Sequence, residues 1–125
     1  MRLAVVGSRN CNDYDLVATT LAHYLDRYGK SLVIISGGAI GADKLAARFA
    51  KEHDLELIEY LPDWEKFGKA AGFKRNWLIW EEAEAGVAFW DGVSKGTAHS
   101  FRISKQQHKP LHVVEFTPEK MEYTT

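Results

Sequence analysis

The stretch Ser36-Gly37-Gly38-Ala39-Ile40-Gly41-Ala42-Asp43 lies between two segments of different periodicity. Leu32 to Ile35 is a continuous apolar run rich in β-branched residues, whereas Ala39 to Lys51 places apolar side chains at helical spacing. The glycines therefore mark a strand-to-helix turn. Such a turn surrounds one point with unpaired N–H groups and the positive end of a helix dipole, which is a phosphate-binding arrangement. A tight turn that only needs glycine's backbone freedom would have the same sequence.

The rest of the chain alternates strands and helices in the same way. Apolar runs predict further strands at Leu3–Val6, Leu55–Leu61, Gly86–Trp90 and Leu111–Phe116. Helical spacing predicts helices from Asp13 or Asp15 to Tyr28, over Phe73–Ala85 and over Thr97–Gln107. Pro62–Gly72 has no sustained period, so we expect a loop that folds over a site.

This alternation predicts an α/β fold, because a parallel neighbour needs a crossover long enough to hold a helix. We expect a single Rossmann-like domain over residues 1–116. Its sheet is predicted to be doubly wound and mainly parallel, with about five strands and helices on both faces. A polar C-terminal tail is predicted for residues 117–125.

The composition of the chain argues against several kinds of partner and site. The formal net charge of the 125 residues is −1, which disfavours a nucleic-acid partner held by general electrostatic attraction. Cys11 is the only cysteine, so neither an internal disulfide nor a cysteine-based zinc site is expected, and we predict no metal site. No apolar run approaches the length of a signal core or a membrane span. The sequence therefore predicts a cytoplasmic protein without a membrane partner.

Polar residues and glycines follow three of the predicted strands. In open α/β sheets, ligands bind outside the carboxyl ends of the strands, near the point where the strand order reverses. We therefore expect these loops to form one ligand site. The predicted ligand-binding residues are Gly7, Ser8, Arg9, Ser36, Gly37, Gly38, Gly41, Asp43, Arg75, Asn76, Trp90, Asp91, Gly92, Ser94, Gly96 and Thr97.

The charged members of this set suggest separate roles. Arg9 is a candidate for two parallel hydrogen bonds to a phosphate or a carboxylate, and Arg75 is a candidate to supply further positive charge, although both are also compatible with solvated surfaces. Asp43 and Asp91 are candidates for ribose hydroxyls, or each caps a helix or turn. Asp91 is also a candidate base if burial raises its pKa.

The four tryptophans and the glycine spacing add two expectations. Most of the tryptophans are expected in the core, with Trp64 or Trp90 placed to stack on a base. The glycine turn follows the second strand and no Gly-Lys-Ser or Gly-Lys-Thr closes it. It is therefore neither the dinucleotide fingerprint nor a Walker loop.

Three stretches together resemble one family: Gly7 to Arg9, Ser36 to Asp43, and Ala71 to Asn76 leading to Phe89 to Thr97. They are similar to the YspA-like, cpYpsA-related branch of the SLOG superfamily, Rossmann-like domains related to the Lonely Guy phosphoribohydrolases and to DprA. The resemblance covers most of the chain except the tail. It implies a small nucleotide-like ligand such as AMP, ADP-ribose or NAD, held by a sensor or ligand-binding protein that requires no other cofactor. It also implies a homodimer or higher homo-oligomer.

The hydrolase relatives suggest an enzymatic alternative. They cleave the N-glycosidic bond of nucleoside monophosphates, with an arginine on the helix before a Pro-Gly-Gly-x-Gly-Thr loop and a glutamate after that loop. Arg75 is similar to that arginine, and Gly96-Thr97 matches the end of the loop. The glutamate is missing, since His99 and Ser100 stand in its region. An N-glycosidic hydrolase or transferase would thus rely on Arg75 with Asp91 or Asp43 as the carboxylate.

Overall fold

The computed structural model describes residues 1–118. Its strands are β1 (Arg2–Gly7), β2 (Val33–Ser36), β3 (Glu56–Glu59), β4 (Ala85–Trp90) and β5 (Leu111–Glu115). Its helices are α1 (Tyr14–Tyr28), α2 (Ala42–Glu52), α3 (Trp64–Phe67), α4 (Ala71–Glu82) and α5 (Lys95–Gln106). Two 3-10 turns lie at Gly29–Ser31 and Gly68–Ala70.

The described strands form one sheet in the order β3-β2-β1-β4-β5, and every neighbouring pair is parallel. Alternate residues of β1 face opposite sides of the sheet. Leu3 and Val5 pack in the core formed with α1 and α2, whereas Ala4 and Val6 pack in the core formed with α4 and α5. Central strands buried on both faces read as continuous apolar runs. The predicted Rossmann-like, doubly wound fold is confirmed.

The strand order reverses between β1 and β4. From β1 the chain moves outward through β2 to β3, and it then returns to the other side of β1 for β4 and β5. The N–H of Ser8 donates to the carbonyl of Phe89 at 2.9 Å, which joins the ends of the two central strands. The loops that follow β1 and β4 therefore begin side by side at the switch point of the sheet.

The prediction of a loop over Pro62–Gly72 is wrong, because this segment contains α3, a 3-10 turn and the first residues of α4. The side chain of Asp63 accepts a hydrogen bond from the N–H of Lys66 at 3.1 Å and so caps α3. Gly68, with a φ of +53°, ends α3 after a single turn. A helix of four residues is too short to show a hydrophobic period. Helix α4 also ends three residues earlier than predicted, since Ala83 is already extended.

The tryptophans are distributed differently from the expectation. Trp80 is fully buried, and its ring fits against β4 because Gly86 has no Cβ, which would lie 2.7 Å from Cζ3 of the indole. Trp90 is partly buried. Trp64 and Trp77 are 55% and 42% exposed, so the prediction that most tryptophans lie in the core is wrong. Both exposed rings belong to the α3–α4 region, which the described part of the chain leaves open to solvent.

Two further predictions concern the chain as a whole. The polar tail predicted for 117–125 lies, from residue 119 onward, outside the described residues. Among residues 1–118, no helix has the length and hydropathy that a membrane crossing requires.

Candidate functional site

A cavity of about 510 Å³ opens at the carboxyl ends of β1 and β4. Its wall comes from four parts of the chain: the loop after β1, the glycine turn before α2, helix α4 and the start of α5. The fold therefore brings together segments that are up to about ninety residues apart, as expected for a switch-point site. The predicted site residues in its wall are Gly7, Ser8, Arg9, Asp43, Arg75, Asn76, Ser94, Gly96 and Thr97.

Arg75 connects α4 to the glycine turn. Its Nη1 donates to the carbonyl of Gly37 at 2.8 Å, and its Nε donates to the side-chain oxygen of Asn76 at 3.0 Å. The guanidinium fits there because Gly37 has no side chain: a Cβ on Gly37 would lie 2.8 Å from Cζ of Arg75. Burial lowers the pKa of Arg75, and the nearby Asp43 partly offsets this effect. The side chain is thus held in one orientation at the cavity wall.

Asp43 lies in the first turn of α2 and is only 7% exposed. Its Oδ2 accepts a hydrogen bond from the N–H of Ala39 at 3.1 Å, so the carboxylate closes the glycine turn from the helix side. Burial raises the pKa of Asp43 to about 6, although the bond from Ala39 and the charge of Arg75 oppose the shift. The capping alternative is therefore present in the structure, while contact with a ribose stays a prediction.

The raised pKa of Asp43 predicts a pH-dependent contribution to stability. Because the folded pKa of about 6 exceeds the ordinary 3.8, this contribution is complete below pH 3.8 and is lost as the pH rises through 6. We expect Asp43→Asn to gain about 3 kcal/mol of unfolding free energy relative to wild type between about pH 3 and about pH 7. Urea denaturation of both proteins across this range measures the difference. A difference that does not change with pH would contradict the raised pKa.

Asp91 organises the loop between β4 and α5. Its carboxylate accepts hydrogen bonds from the N–H groups of Val93 and Ser94, at 3.0 and 2.8 Å, and from Asn10 at 3.1 Å. Desolvation alone would raise the pKa of Asp91, but these bonds and one from the Ser94 hydroxyl hold it well below its ordinary value. The carboxylate therefore stays ionised with its oxygens engaged, which argues against its use as a general base.

The loop contacts also tie the two halves of the sheet together. Ser8 is buried, and its hydroxyl accepts a hydrogen bond from the N–H of Asp91 at 3.1 Å. The indole N–H of Trp90 donates to the carbonyl of Ser94 at 3.1 Å, and its ring packs edge-on against Phe101. These contacts position the start of α5, where the N–H groups of the first turn have no acceptor within the helix.

Some predicted site residues lie outside the cavity wall. Gly37 takes part through its carbonyl group, whereas Gly38 lies against Leu61. Gly41 packs against the backbone of Arg9, in the loop that follows β1. The remaining members, Ser36, Trp90, Asp91 and Gly92, do not line the cavity either.

Three polar residues of the wall are not among the predicted site residues. Asn10, Lys95 and Ser100 line the cavity, and Lys95 adds a third basic residue to Arg9 and Arg75. Asn10 follows Arg9 in the loop after β1, and Lys95 lies between Ser94 and Gly96 at the start of α5. Their position next to predicted residues was the signal that could have identified them. Ser100 lies one turn into α5, where the helical period places it on the same side as Thr97. Residues 1–118 contain no group of three or more His, Cys, Asp or Glu placed to hold a metal ion.

Comparison with solved structures supports the fold. The DNA processing protein A from Helicobacter pylori, whose structure concerns its single-stranded DNA binding mode, matches with a TM-score of 0.71 and 22% identity over 98% of this chain and 67% of its own. DprA from Streptococcus pneumoniae matches with a TM-score of 0.69 and 17% identity over 98% of this chain and 52% of its own. At these identities the likeness concerns the fold.

The first of these structures contradicts one prediction. Nucleic acid was disfavoured as a partner, yet the Helicobacter pylori protein, which shares this fold over 67% of its length, binds single-stranded DNA. The prediction relied on a formal net charge summed over all 125 residues. Binding depends on the charges that face one site, and here Arg9, Arg75 and Lys95 share a single cavity.

Comparison of sequences gives the family. A family model described as YspA, cpYpsA-related SLOG family matches residues 1–67. The Gene 61 protein of Mycobacterium phage D29 is 36% identical over 116 residues, which is 88% of this chain and 93% of the phage protein. The range of the family model includes the motifs at Gly7 to Arg9 and Ser36 to Asp43. The chain belongs to the YspA, cpYpsA-related SLOG family.

Proposed function

We propose that the chain binds a nucleotide or nucleotide-derived ligand in this cavity and acts as a sensor or ligand-binding protein. The observation that carries the proposal is the convergence of Arg9, Arg75 and the start of α5 on one cavity. Within residues 1–118, Arg75 donates to neutral oxygens only and forms no ion pair with a carboxylate. Its positive charge is therefore available to an anion that enters the cavity.

A phosphate group suits these donors. A guanidinium can give two parallel hydrogen bonds to phosphate oxygens, and the first-turn N–H groups of α5 add donors at the positive end of a helix dipole. Gly96 lets a ligand approach the backbone, since nothing lies within 4 Å of the position of its missing Cβ. Thr97 and Ser100, both buried in the wall, supply hydroxyl groups deeper in the cavity. Ligands with a phosphorylated ribose, such as AMP, ADP-ribose and NAD, combine this anion with hydroxyls that polar side chains can bind.

Isothermal titration calorimetry of the full chain tests the proposal. We expect saturable binding of at least one of AMP, ADP-ribose and NAD at or below about millimolar concentration, the range in which weak metabolite sites operate. Inorganic phosphate lacks the nucleoside part of these ligands, so it should bind more weakly than the nucleotide that binds best. The absence of heat from all three nucleotides at millimolar concentration would reject the proposal.

One observation favours the N-glycosidic alternative. Asp43 lines the same cavity as Arg75, and its raised pKa of about 6 suits proton transfer near neutral pH. A carboxylate beside the sugar can also stabilise an oxocarbenium-like transition state. In this alternative the full chain releases the base from a nucleoside monophosphate, as followed by chromatography, and Arg75→Ala and Asp43→Asn abolish release. No base released from any of the common nucleotides would reject it.

A further inference from the structure

The α3–α4 region presents an exposed surface that the proposed phosphate contacts do not use. We name it the aromatic–basic surface, and its members are Trp64, Lys66, Phe67, Phe73, Lys74 and Trp77. Its four aromatic side chains are 36% to 58% exposed. Three of these rings, those of Phe67, Phe73 and Trp77, line one groove. Exposed apolar side chains that are gathered in this way favour an interaction site.

The charge of this region differs from that of the rest of the chain. Residues 64–78 contain four basic residues and one acidic residue, whereas the other residues contain twelve basic and sixteen acidic ones. The ammonium groups of Lys66 and Lys74 lie 5.2 and 4.7 Å from the ring centre of Phe67. Positive charge is therefore held directly beside exposed aromatic faces. A partner that suits this surface carries both negative charge and flat apolar groups.

The aromatic–basic surface is continuous with the cavity. Arg75 and Asn76 line the cavity, while Phe73 and Trp77, next to them on α4, line an adjacent groove of about 450 Å³. His99 forms the wall between the two: its Nδ1 lies 3.2 Å from the amide nitrogen of Asn76, and its ring packs edge-on against Phe73 with centroids 4.4 Å apart. A ligand anchored by a phosphate in the cavity has to cross only this wall to reach the aromatic rings.

We infer that the aromatic–basic surface binds the bases of a single-stranded oligonucleotide, one phosphate of which occupies the cavity. The phosphate contact rests on the proposed function. Stacking on aromatic rings together with basic residues along the backbone is how proteins hold single strands, and it tolerates many sequences because every base has a flat face. A duplex hides those faces, so the geometry favours an unpaired strand.

A second copy of the chain suits this surface less well. In a two-fold symmetric dimer the same patch faces itself, so Lys66 and Lys74 would be brought close to the same two lysines of the second copy. Like charges brought together at an interface oppose association. A dimer formed through this surface is therefore one of the outcomes that the experiment distinguishes from oligonucleotide binding.

Fluorescence anisotropy of the full chain with a labelled oligothymidylate of about twelve nucleotides tests the inference. We expect the oligonucleotide to bind at least about tenfold more tightly than thymidine monophosphate and than a duplex of the same length, with affinity that falls steeply as salt rises. The double variant Phe73→Ala/Trp77→Ala should bind the oligonucleotide about tenfold or more weakly, while its affinity for ADP-ribose changes little. Lys66→Gln/Lys74→Gln should reduce the salt dependence.

Matched controls lie on other surfaces. Lys105→Gln on α5 and Val113→Ala on β5 change an exposed basic and an exposed apolar side chain outside the surface, and both should bind as wild type does. Circular dichroism checks that the variants fold. Quenching of the wild-type tryptophan fluorescence by unlabelled oligonucleotide gives a readout that needs no variant.

The outcomes separate the two proposals. If ADP-ribose binds but the oligonucleotide binds no more tightly than the mononucleotide, or without quenching, the inference fails and the proposed function stands. If AMP, ADP-ribose and NAD also fail to bind, the proposed function fails too. Sedimentation that shows a wild-type dimer and a monomeric Phe73→Ala/Trp77→Ala variant, with oligonucleotide affinity unchanged, would assign the surface to a second copy and overturn the inference.

Discussion

Alanine in place of Gly41 is expected to lower the free energy of unfolding by about 3 kcal/mol or more. Gly41 precedes α2 with a φ of +86° and a ψ of −133°, a conformation that side chains with a Cβ rarely adopt. A Cβ there would also lie 2.6 Å from both Cα and the carbonyl oxygen of Arg9. Backbone cannot move aside as a flexible side chain can, so strain and steric overlap add. For a domain with about 5–15 kcal/mol of stability this loss is severe.

Gly29→Ala provides the matched control. Gly29 has a similar backbone conformation, with a φ of +59° and a ψ of −146°, but nothing lies within 4 Å of the position of its missing Cβ. Its substitution should therefore cost only the backbone strain, about 1–3 kcal/mol. Urea denaturation of both variants measures the two costs, and their difference is the cost of the overlap. Equal losses would show that the loop after β1 moves away freely from Gly41.

Arg75→Ala is expected to weaken binding of ADP-ribose by a factor of about thirty or more. Hydrogen bonds to charged groups contribute about 1.5–3 kcal/mol each, and the truncation also removes the charge that Asp43 faces. Without that charge, the buried Asp43 carboxyl is harder to ionise, so its pKa should rise further above 6. Calorimetry with ADP-ribose measures the affinity. The diphosphate of this ligand does not titrate near neutral pH, which keeps the ligand's own protonation out of the comparison.

Three variants distinguish the role of the guanidinium from a general loss of charge. Arg27→Ala removes an exposed arginine from α1, away from the cavity, and should bind as wild type does. Arg75→Lys keeps the charge but not the forked geometry, so it should recover only part of the affinity. Gly37→Ala keeps the arginine but displaces it, and should resemble Arg75→Ala. Unchanged affinity in both Arg75→Ala and Gly37→Ala would exclude Arg75 from the site.

The fold could be predicted because its central strands are buried on both faces and therefore appear as uninterrupted apolar runs. The alternation of these runs with helical spacing also placed the polar loops at one edge of the sheet. Helix α3 could not be predicted in this way. It is held by a local cap from Asp63 and not by a hydrophobic face that repeats along the sequence.

Within the site, the sequence identified the loops better than the roles of single residues. Asp91 has a low pKa partly because Asn10, eighty-one residues away, donates to it across the central strands. Trp64 and Trp77 are exposed because the sheet covers the other side of the α3–α4 region. Aromatic residues occur on every side of this segment, so the periodicity of its sequence does not indicate which side is buried. Net charge, likewise, carries no information about which basic residues share a cavity.

Two separate parts of the sequence supply the wall of the cavity. Residues 1–67 supply Arg9 and the glycine turn, and the residues after them supply Arg75 and the start of α5. The family model ends at residue 67, so it contains one of the two guanidinium groups and not the other. A fragment that stops there would keep the motifs at Gly7 to Arg9 and Ser36 to Asp43 and lack the part of the cavity wall that α4 and α5 supply. Two of the three basic residues in the cavity wall, Arg75 and Lys95, therefore lie outside the range that the family model matches.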